Sequence, residues 1–329
     1  VKPRPKVWFP NAASSLLLAA FFLAACEQGA TTTAAPVDPA SLCVDSSCGE
    51  KTVLLDVPDA ENLLFSPDGR LFVSGGLNVY EVSRDGEAYR ARPLLDGSDN
   101  FTGLALRGDV LYANGFSGRL YAARLDANPS LRPIHELGLS SANGLASGPG
   151  GALYAVNGPA ALAPKIVRLR LDPADPFRVL EQSDWLRFAP GSSFPNGLQI
   201  RGHTLYYSES VPTALGRIRK LEIGRDGQPG TAETVASLGS SLPDDFSLVG
   251  DAILAAYFTD GRIGLFGADG TRLAQTGLGS FQSPSQVRLG QPPLFASTDL
   301  LVTEKGLLGD NSSRIGNVLS VFRRKAPLP

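Results

Sequence analysis

One phrase recurs through this chain and restricts its fold more than any other feature. Written approximately as x-G-L-x-x-x-x-G-x-L-Y-x-x-x, it appears at Glu61–Ser74 (ENLLFSPDGRLFVS), Thr102–Asn114 (TGLALRGDVLYAN) and Asn143–Val156 (NGLASGPGGALYAV). It returns at Asn196–Ser208 (NGLQIRGHTLYYS) and Asp244–Ala256 (DDFSLVGDAILAA), with a degenerate sixth copy from Ser285 (SQVRLGQPPLFAS). Each copy reads as an apolar strand, a turn centred on Gly, and a second strand. Third strands are expected at Asn78–Val82, Arg119–Arg124, Lys165–Leu171, Gly216–Ile223 and Arg262–Phe266. The lead residues are spaced by 41, 41, 53, 48 and 41 positions. A four-stranded unit of that length is one blade of a propeller. The repeat therefore predicts an all-β chain: a six-bladed β-propeller of four-stranded antiparallel blades over residues 51–329. Thr52–Val57 is expected to close the ring beside Asn317–Phe322. A pair of sandwiches or another repeat β fold is the competing architecture.

Composition narrows the function classes. The 329 residues are 43% hydrophobic and 19% charged, enough for a sizeable core. Lys and Arg number 30 against 32 Asp and Glu, so there is no basic footprint and nucleic acid is not an expected partner. Two His and three Cys leave little material for a Cys/His zinc site. Methionine is absent even at position 1, which reads as a start codon decoded as Val.

Residues 1–25 read as a lipoprotein signal peptide. Lys2, Arg4 and Lys6 form a basic start, and an Ala/Leu-rich core runs from Ala12 to Ala25. Leu23-Ala24-Ala25-Cys26 resembles a bacterial lipobox, which implies cleavage before Cys26 and lipid on its sulfur. The alternative is a plain secretory signal cut near Ala25, with Cys26 incidental. Residues 26–50 read as a tether, and Cys43 and Cys48 as a disulfide closing a small loop. The expectation is an exported, membrane-anchored monomer in the cell envelope, facing the periplasm or the exterior.

The lead residues of the six copies are Glu61, Thr102, Asn143, Asn196, Asp244 and Ser285. In a propeller the first strand of each blade lines the central channel, so these six side chains are expected at one axial rim. All carry oxygen and two are acids. Carboxylate and amide oxygens are hard donors, suited to calcium or magnesium. Asn, Asp, Ser and Thr also cap turns before strands, which would explain Thr102 or Ser285 without any site. It explains Glu61 poorly.

These residues carry a resemblance. Glu61, Asn143 in Ala-Asn-Gly-Leu, Asn196 in Phe-Pro-Asn-Gly-Leu and Asp244 in Leu-Pro-Asp-Asp-Phe resemble the senescence-marker-protein-30/gluconolactonase-like six-bladed propellers. Paraoxonases and strictosidine-synthase-like proteins are more distant cousins. The resemblance spans about residues 52–325. It implies a divalent metal, usually calcium, and hydrolysis of lactones or related esters. It implies Glu61, Asn196 and Asp244 as metal ligands, with Asn143 a ligand or a substrate contact. Pro-Asp-Asp makes Asp245 a candidate extra ligand. Ser141 stands where sugar-lactonase members carry arginine, which argues against a sugar acid. His135 and His203 are expected on an outer strand and in a hairpin turn, away from the site.

Two functions are thus expected. In one, a metal-dependent hydrolase acts on a small-molecule lactone or ester, with Asp244 as ligand and general base and Asn143 orienting the substrate. In the other, a non-catalytic propeller stabilised by its metal binds a partner or a cell-surface ligand. The top-face segment 157–164 and Phe194 are the expected pocket wall.

Overall fold

The computed structural model describes residue 1 and residues 37–97, 99–213, 215–307 and 312–325. The expected signal peptide and Cys26 lie outside the described residues. The described residues from 37 onward fold as one unit. Six four-stranded sheets make it a six-bladed β-propeller, as the repeat predicts.

Strand composition sets position within each blade. Inner strands are flanked by neighbouring blades on both faces, so they read as nearly continuous apolar runs rather than alternations. Ala60–Phe65 and Leu71–Gly75 are buried throughout, as are Val110–Gly115, Ala152–Asn157 and Ala252–Tyr257. The outermost strands, such as Ala88–Pro93 and Arg132–Glu136, are polar and largely solvent-facing. Apolar layers join each blade to the next. Leu63, Leu71 and Val73 of the first blade pack with Leu301, Leu319 and Val321 of the sixth. Tyr112 and Leu120 of the second pack with Leu145, Leu153 and Val167 of the third.

The ring closes through the first strand of the chain. Gly49–Asp56 pairs antiparallel with Val318–Arg324, in register Thr52 opposite Val321 and Val53 opposite Ser320. The sixth copy differs from the expected reading. Its second strand is Leu300–Glu304, not the segment around Leu294–Ser297, because a ten-residue connection (290–299) separates it from Pro284–Leu289. That connection stacks Phe295 on Tyr89 of the first blade, with ring centroids 5.2 Å apart. The copy is complete, with a long turn.

Residues just before the closing strand pack onto the ring. Leu42, Cys43 and Val44 are buried with Val249, Phe281 and Phe322. Cys43 and Cys48 form a disulfide with Cα atoms 5.9 Å apart. The loop it closes binds the segment after the last strand: the Lys325 amide donates to the Cys48 carbonyl at 2.8 Å, and Lys325 Nζ donates to the Ser46 carbonyl at 2.9 Å. Loop-closure entropy for so short a loop is worth about 2 kcal/mol. Replacing both cysteines by serine should therefore lower Tm by about 3 °C for a chain of this size. Thermal unfolding by circular dichroism checks this, and an unchanged Tm would mean that packing alone holds the loop.

Candidate functional site

The same local device recurs at the lead residue of every blade. In all six blades the pairing of first and second strands shifts register at the lead residue, for example between Ala60 and Leu63, Ala142 and Leu145, and Pro243 and Phe246. A bulge of this kind re-aims a side chain. Four of the lead carbonyls are also tied to the preceding blade. Asn114 Nδ2 donates to the Asn143 carbonyl at 2.7 Å, and Thr303 Oγ1 to the Glu61 carbonyl at 2.7 Å. Ser208 Oγ donates to the Asp244 carbonyl at 2.5 Å, and Ser74 Oγ to that of Thr102. The equivalent positions in the third and fifth blades are Val156 and Ala256, which have no side-chain donor.

The residue after the lead residue divides the ring in two. In the second, third and fourth blades it is Gly103, Gly144 and Gly197, where a Cβ would stand 2.3 Å from the Asn143 carbonyl oxygen, 2.5 Å from that of Asn196 and 2.5 Å from Asp245 Oδ1. The Gly of Asn-Gly-Leu is thus demanded by close contact between blades, while the Asn faces the axis. In the fifth, sixth and first blades the same position holds Asp245, Gln286 and Asn62, which bond to one another. Asp245 Oδ2 accepts from Asn62 Nδ2 at 3.0 Å and from Gln286 Nε2 at 2.9 Å, and its Oδ1 accepts from Gln199 Nε2 at 3.1 Å and the Phe246 amide at 2.7 Å. Burial raises the Asp245 pKa, partly offset by these donors and by Arg288. Asp245 is therefore not an extra metal ligand. Its oxygens are consumed by a buried polar knot drawn from the first, fourth, fifth and sixth blades.

On the other side of the lead residues lies a cavity of about 520 Å³. Glu61, Thr102, Asn143, Asn196 and Asp244 all line it, all buried. Ser285 stands behind them, donating to Asp244 Oδ2 at 2.6 Å. The Thr102 hydroxyl turns away to the Ala142 carbonyl, 2.9 Å distant, and serves the blade seam. Glu61, Asn143, Asn196 and Asp244 are brought to one pocket from four blades. Asn196 Oδ1 is buried with no hydrogen-bond partner. Burial first, and the neighbouring Glu61 carboxylate second, raise the Asp244 pKa well above the usual carboxylate range; the Ser285 hydroxyl and Lys305 oppose this.

Two residues join the site that the repeat phrase does not contain. Asp59 stands two residues before Glu61, in a positive-φ turn (48°), and accepts from Asn100 Nδ2 at 3.0 Å. Lys305 reaches in from the end of the sixth blade's second strand. Its Nζ pairs with Glu61 Oε2 and lies 3.4 Å from Asp59 Oδ1. Burial alone would lower the Lys305 pKa, but Glu61 and then Asp59 outweigh it and the net shift is upward. A second periodicity could have found this lysine. Two positions beyond Ser74, Asn114, Val156, Ser208, Ala256 and Thr303 lie Gly76, Phe116, Gly158, Ser210, Phe258 and Lys305. Four of these six line the cavity.

The walls are apolar. Phe116, Phe258, Leu242, Pro159 and Ala160 surround the mouth, and a recess of about 400 Å³ continues past Ser210 between Phe194, Val211 and Pro212. Segment 157–164 is braced by Asn157, whose Oδ1 accepts from the Ser140 and Ser141 amides and whose Nδ2 donates to the Ala163 carbonyl at 3.0 Å. Ser141 Oγ donates to the Gly158 carbonyl at 3.1 Å. His135 lies on the outer strand of the second blade, its Nε2 3.0 Å from Gln182 Oε1, and His203 is exposed in a turn at the far end of its strand. Neither lines the pocket.

Among the described residues, no group of three or more Asp, Glu, His or Cys could hold a metal by itself. A cation here would depend on the amides of Asn143 and Asn196 as well as on the acids. The chemistry of that donor set fits a hard divalent ion, and the unpartnered Asn196 oxygen is the clearest sign of it. The charged lining of three acids (Asp59, Glu61, Asp244) and one base (Lys305) leaves a formal excess of two negative charges.

No protein-family model matches the sequence, and no curated protein does. Solved structures do. A calcium-binding protein, regucalcin, from Agrobacterium tumefaciens superposes with a TM-score of 0.63 at 16% identity, covering 83% of this chain and 92% of that one. A putative oxidoreductase (glucose dehydrogenase) from Thermus thermophilus gives 0.59 at 19% identity, over 84% and 100%. The PQQ-bound aldose sugar dehydrogenase of Streptomyces coelicolor gives 0.58 at 18%, over 83% and 97%. At these identities the likeness is one of fold, and it supports the resemblance to the senescence-marker-protein-30-like propellers at that level.

Proposed function

We propose that this propeller binds a divalent cation, calcium by its all-oxygen donors, and hydrolyses an ester or lactone in the axial pocket. The observation that carries the reading is the convergence of Glu61, Asn143, Asn196 and Asp244 on one cavity, with an Asn196 oxygen left unpartnered. These four residues would hold the cation, which when bound supplies Lewis-acid polarisation of a carbonyl. The rest falls to the chain. Ser285 fixes one Asp244 oxygen, and the carboxylate, which lines the cavity, would act as the base that takes a proton from water. Asn143 orients the substrate carbonyl. Phe116, Phe258 and Leu242 exclude water and favour an alkyl or aryl group over a polyhydroxylated sugar.

The protein acts in the cell envelope as a lipid-anchored monomer held through Cys26. The lipobox and the Cys43–Cys48 disulfide, which suits an oxidising compartment, support this placement. Fractionation with and without Cys26→Ser checks it: the wild type should follow the membrane and the variant should not.

A panel of alkyl, aryl and sugar esters and lactones, assayed with calcium and with chelator, tests the reaction. Alkyl or aryl substrates should turn over faster than a sugar lactone, and the chelator should abolish turnover reversibly. Phe258→Ala should raise KM for the longer chains by about tenfold, the worth of one lost aromatic contact, with kcat little changed. Cation binding without turnover on any substrate would favour the second reading, a non-catalytic binding propeller.

A further inference from the structure

Lys305 is a charged feature of the pocket that the proposed chemistry does not use. Its side chain is 14% exposed, and its ammonium sits between Glu61, 2% exposed, and Asp59, 7% exposed. A buried ammonium is stable only where carboxylates surround it. Here those carboxylates include one of the expected cation ligands. A divalent ion and the ammonium cannot share the Glu61 carboxylate without strong mutual repulsion across the few ångströms between them.

We propose that Lys305 is a tethered counter-cation that competes with the divalent ion for Glu61 and sets the affinity of the site. Asp59 gives the mechanism its second position. Its Oδ1 lies 3.4 Å from Nζ, with Asn100 bonded to Oδ2 and the Asn317 side chain accepting from the Asp59 amide at 2.6 Å, so it is held in place whether or not Glu61 is engaged. When a divalent ion takes Glu61, the ammonium keeps Asp59 and remains paired. When the ion leaves, the ammonium returns and the acids are not left facing one another. No bond is made or broken; one cation displaces another. The site would therefore be structured when empty and would bind calcium more weakly than its donor set alone would allow.

This inference rests on the cation reading above, and one experiment separates the two. Calcium binding is measured by isothermal titration calorimetry on the full mature chain, for the wild type, Lys305→Met and Lys305→Arg. Lys305→Met should bind calcium on the order of 10–100-fold more tightly than the wild type, since a unit positive charge beside the site is gone. Lys305→Arg, which keeps the charge, should stay within a few-fold of the wild type. Without calcium, Lys305→Met should melt below the wild type, and calcium should raise its Tm by more. A lysine that only supports the fold would lower Tm with no gain in affinity. Equal or weaker binding by Lys305→Met overturns the competition and leaves the cation reading standing. No binding by either protein at millimolar calcium overturns both. Lys305→Gln, which can still donate to Asp59, is measured in parallel so that a folding defect in the methionine variant does not remove the readout.

Discussion

Asp244→Ala is expected to lower kcat/KM on any ester or lactone substrate by about a thousandfold or more, while leaving the propeller folded. The size follows from two losses at one position. The variant removes a charged donor of the expected cation, and it removes the group expected to accept the proton from water. Folding should survive because the Asp244 backbone carbonyl, not its side chain, receives the Ser208 hydroxyl that ties the blades. Its burial raises the carboxyl pKa, so the charged form gains nothing from folding, and removing it should not lower Tm by more than a few degrees. Ser285→Ala is the companion measurement. It leaves the carboxylate but frees its Oδ2, and it should cost about tenfold in kcat with little change in KM. Full turnover by Asp244→Ala would remove Asp244 from the chemistry altogether.

The second large effect is on stability. A chain starting at residue 57 lacks the strand that closes the ring and the disulfide loop before it. Residues Gly49–Asp56 make seven paired positions with Val318–Arg324, and Leu54 and Leu55 pack against the layer between first and sixth blades. At about 1 kcal/mol for each backbone hydrogen bond, plus the apolar contacts, the loss is of the order of 5–10 kcal/mol. That is comparable with the whole net stability of an ordinary domain. The truncated chain should show no cooperative melt, and its exposed strand edge should drive aggregation seen by size-exclusion chromatography. A soluble, cooperative truncation with a Tm within a few degrees of the intact chain would show that the strand pairing is dispensable.

The architecture was legible because each blade repeats one physical solution, an apolar hairpin with a glycine turn, and the period survives insertions. The four axial residues were legible for the same reason, since an offset shared by six copies becomes a ring in space. What escaped lies where the repeat is interrupted. The ten-residue connection of the sixth blade moved its second strand to Leu300–Glu304, and Lys305 moved with it. Asp59 sits in a turn outside the phrase, in a backbone conformation unusual for a residue with a side chain. Asp245 shows a different limit. Adjacent side chains at a bulge diverge, and spacing does not say which of Asp244 and Asp245 turns into the cavity and which into the polar knot. Only the positions of Asn62, Gln199 and Gln286, drawn from three other places in the chain, decide that.

The central claim is that Glu61, Asn143, Asn196 and Asp244 form one cation site. A crystal structure of the mature chain grown with calcium, and again with a lanthanide in its place, tests it most directly. A single anomalous peak is expected in the axial cavity, with oxygens of Glu61, Asn143, Asn196 and Asp244 within about 2.3–2.6 Å of the calcium. A cavity with no peak while Lys305 remains on Glu61, or a peak held by other residues, would contradict it.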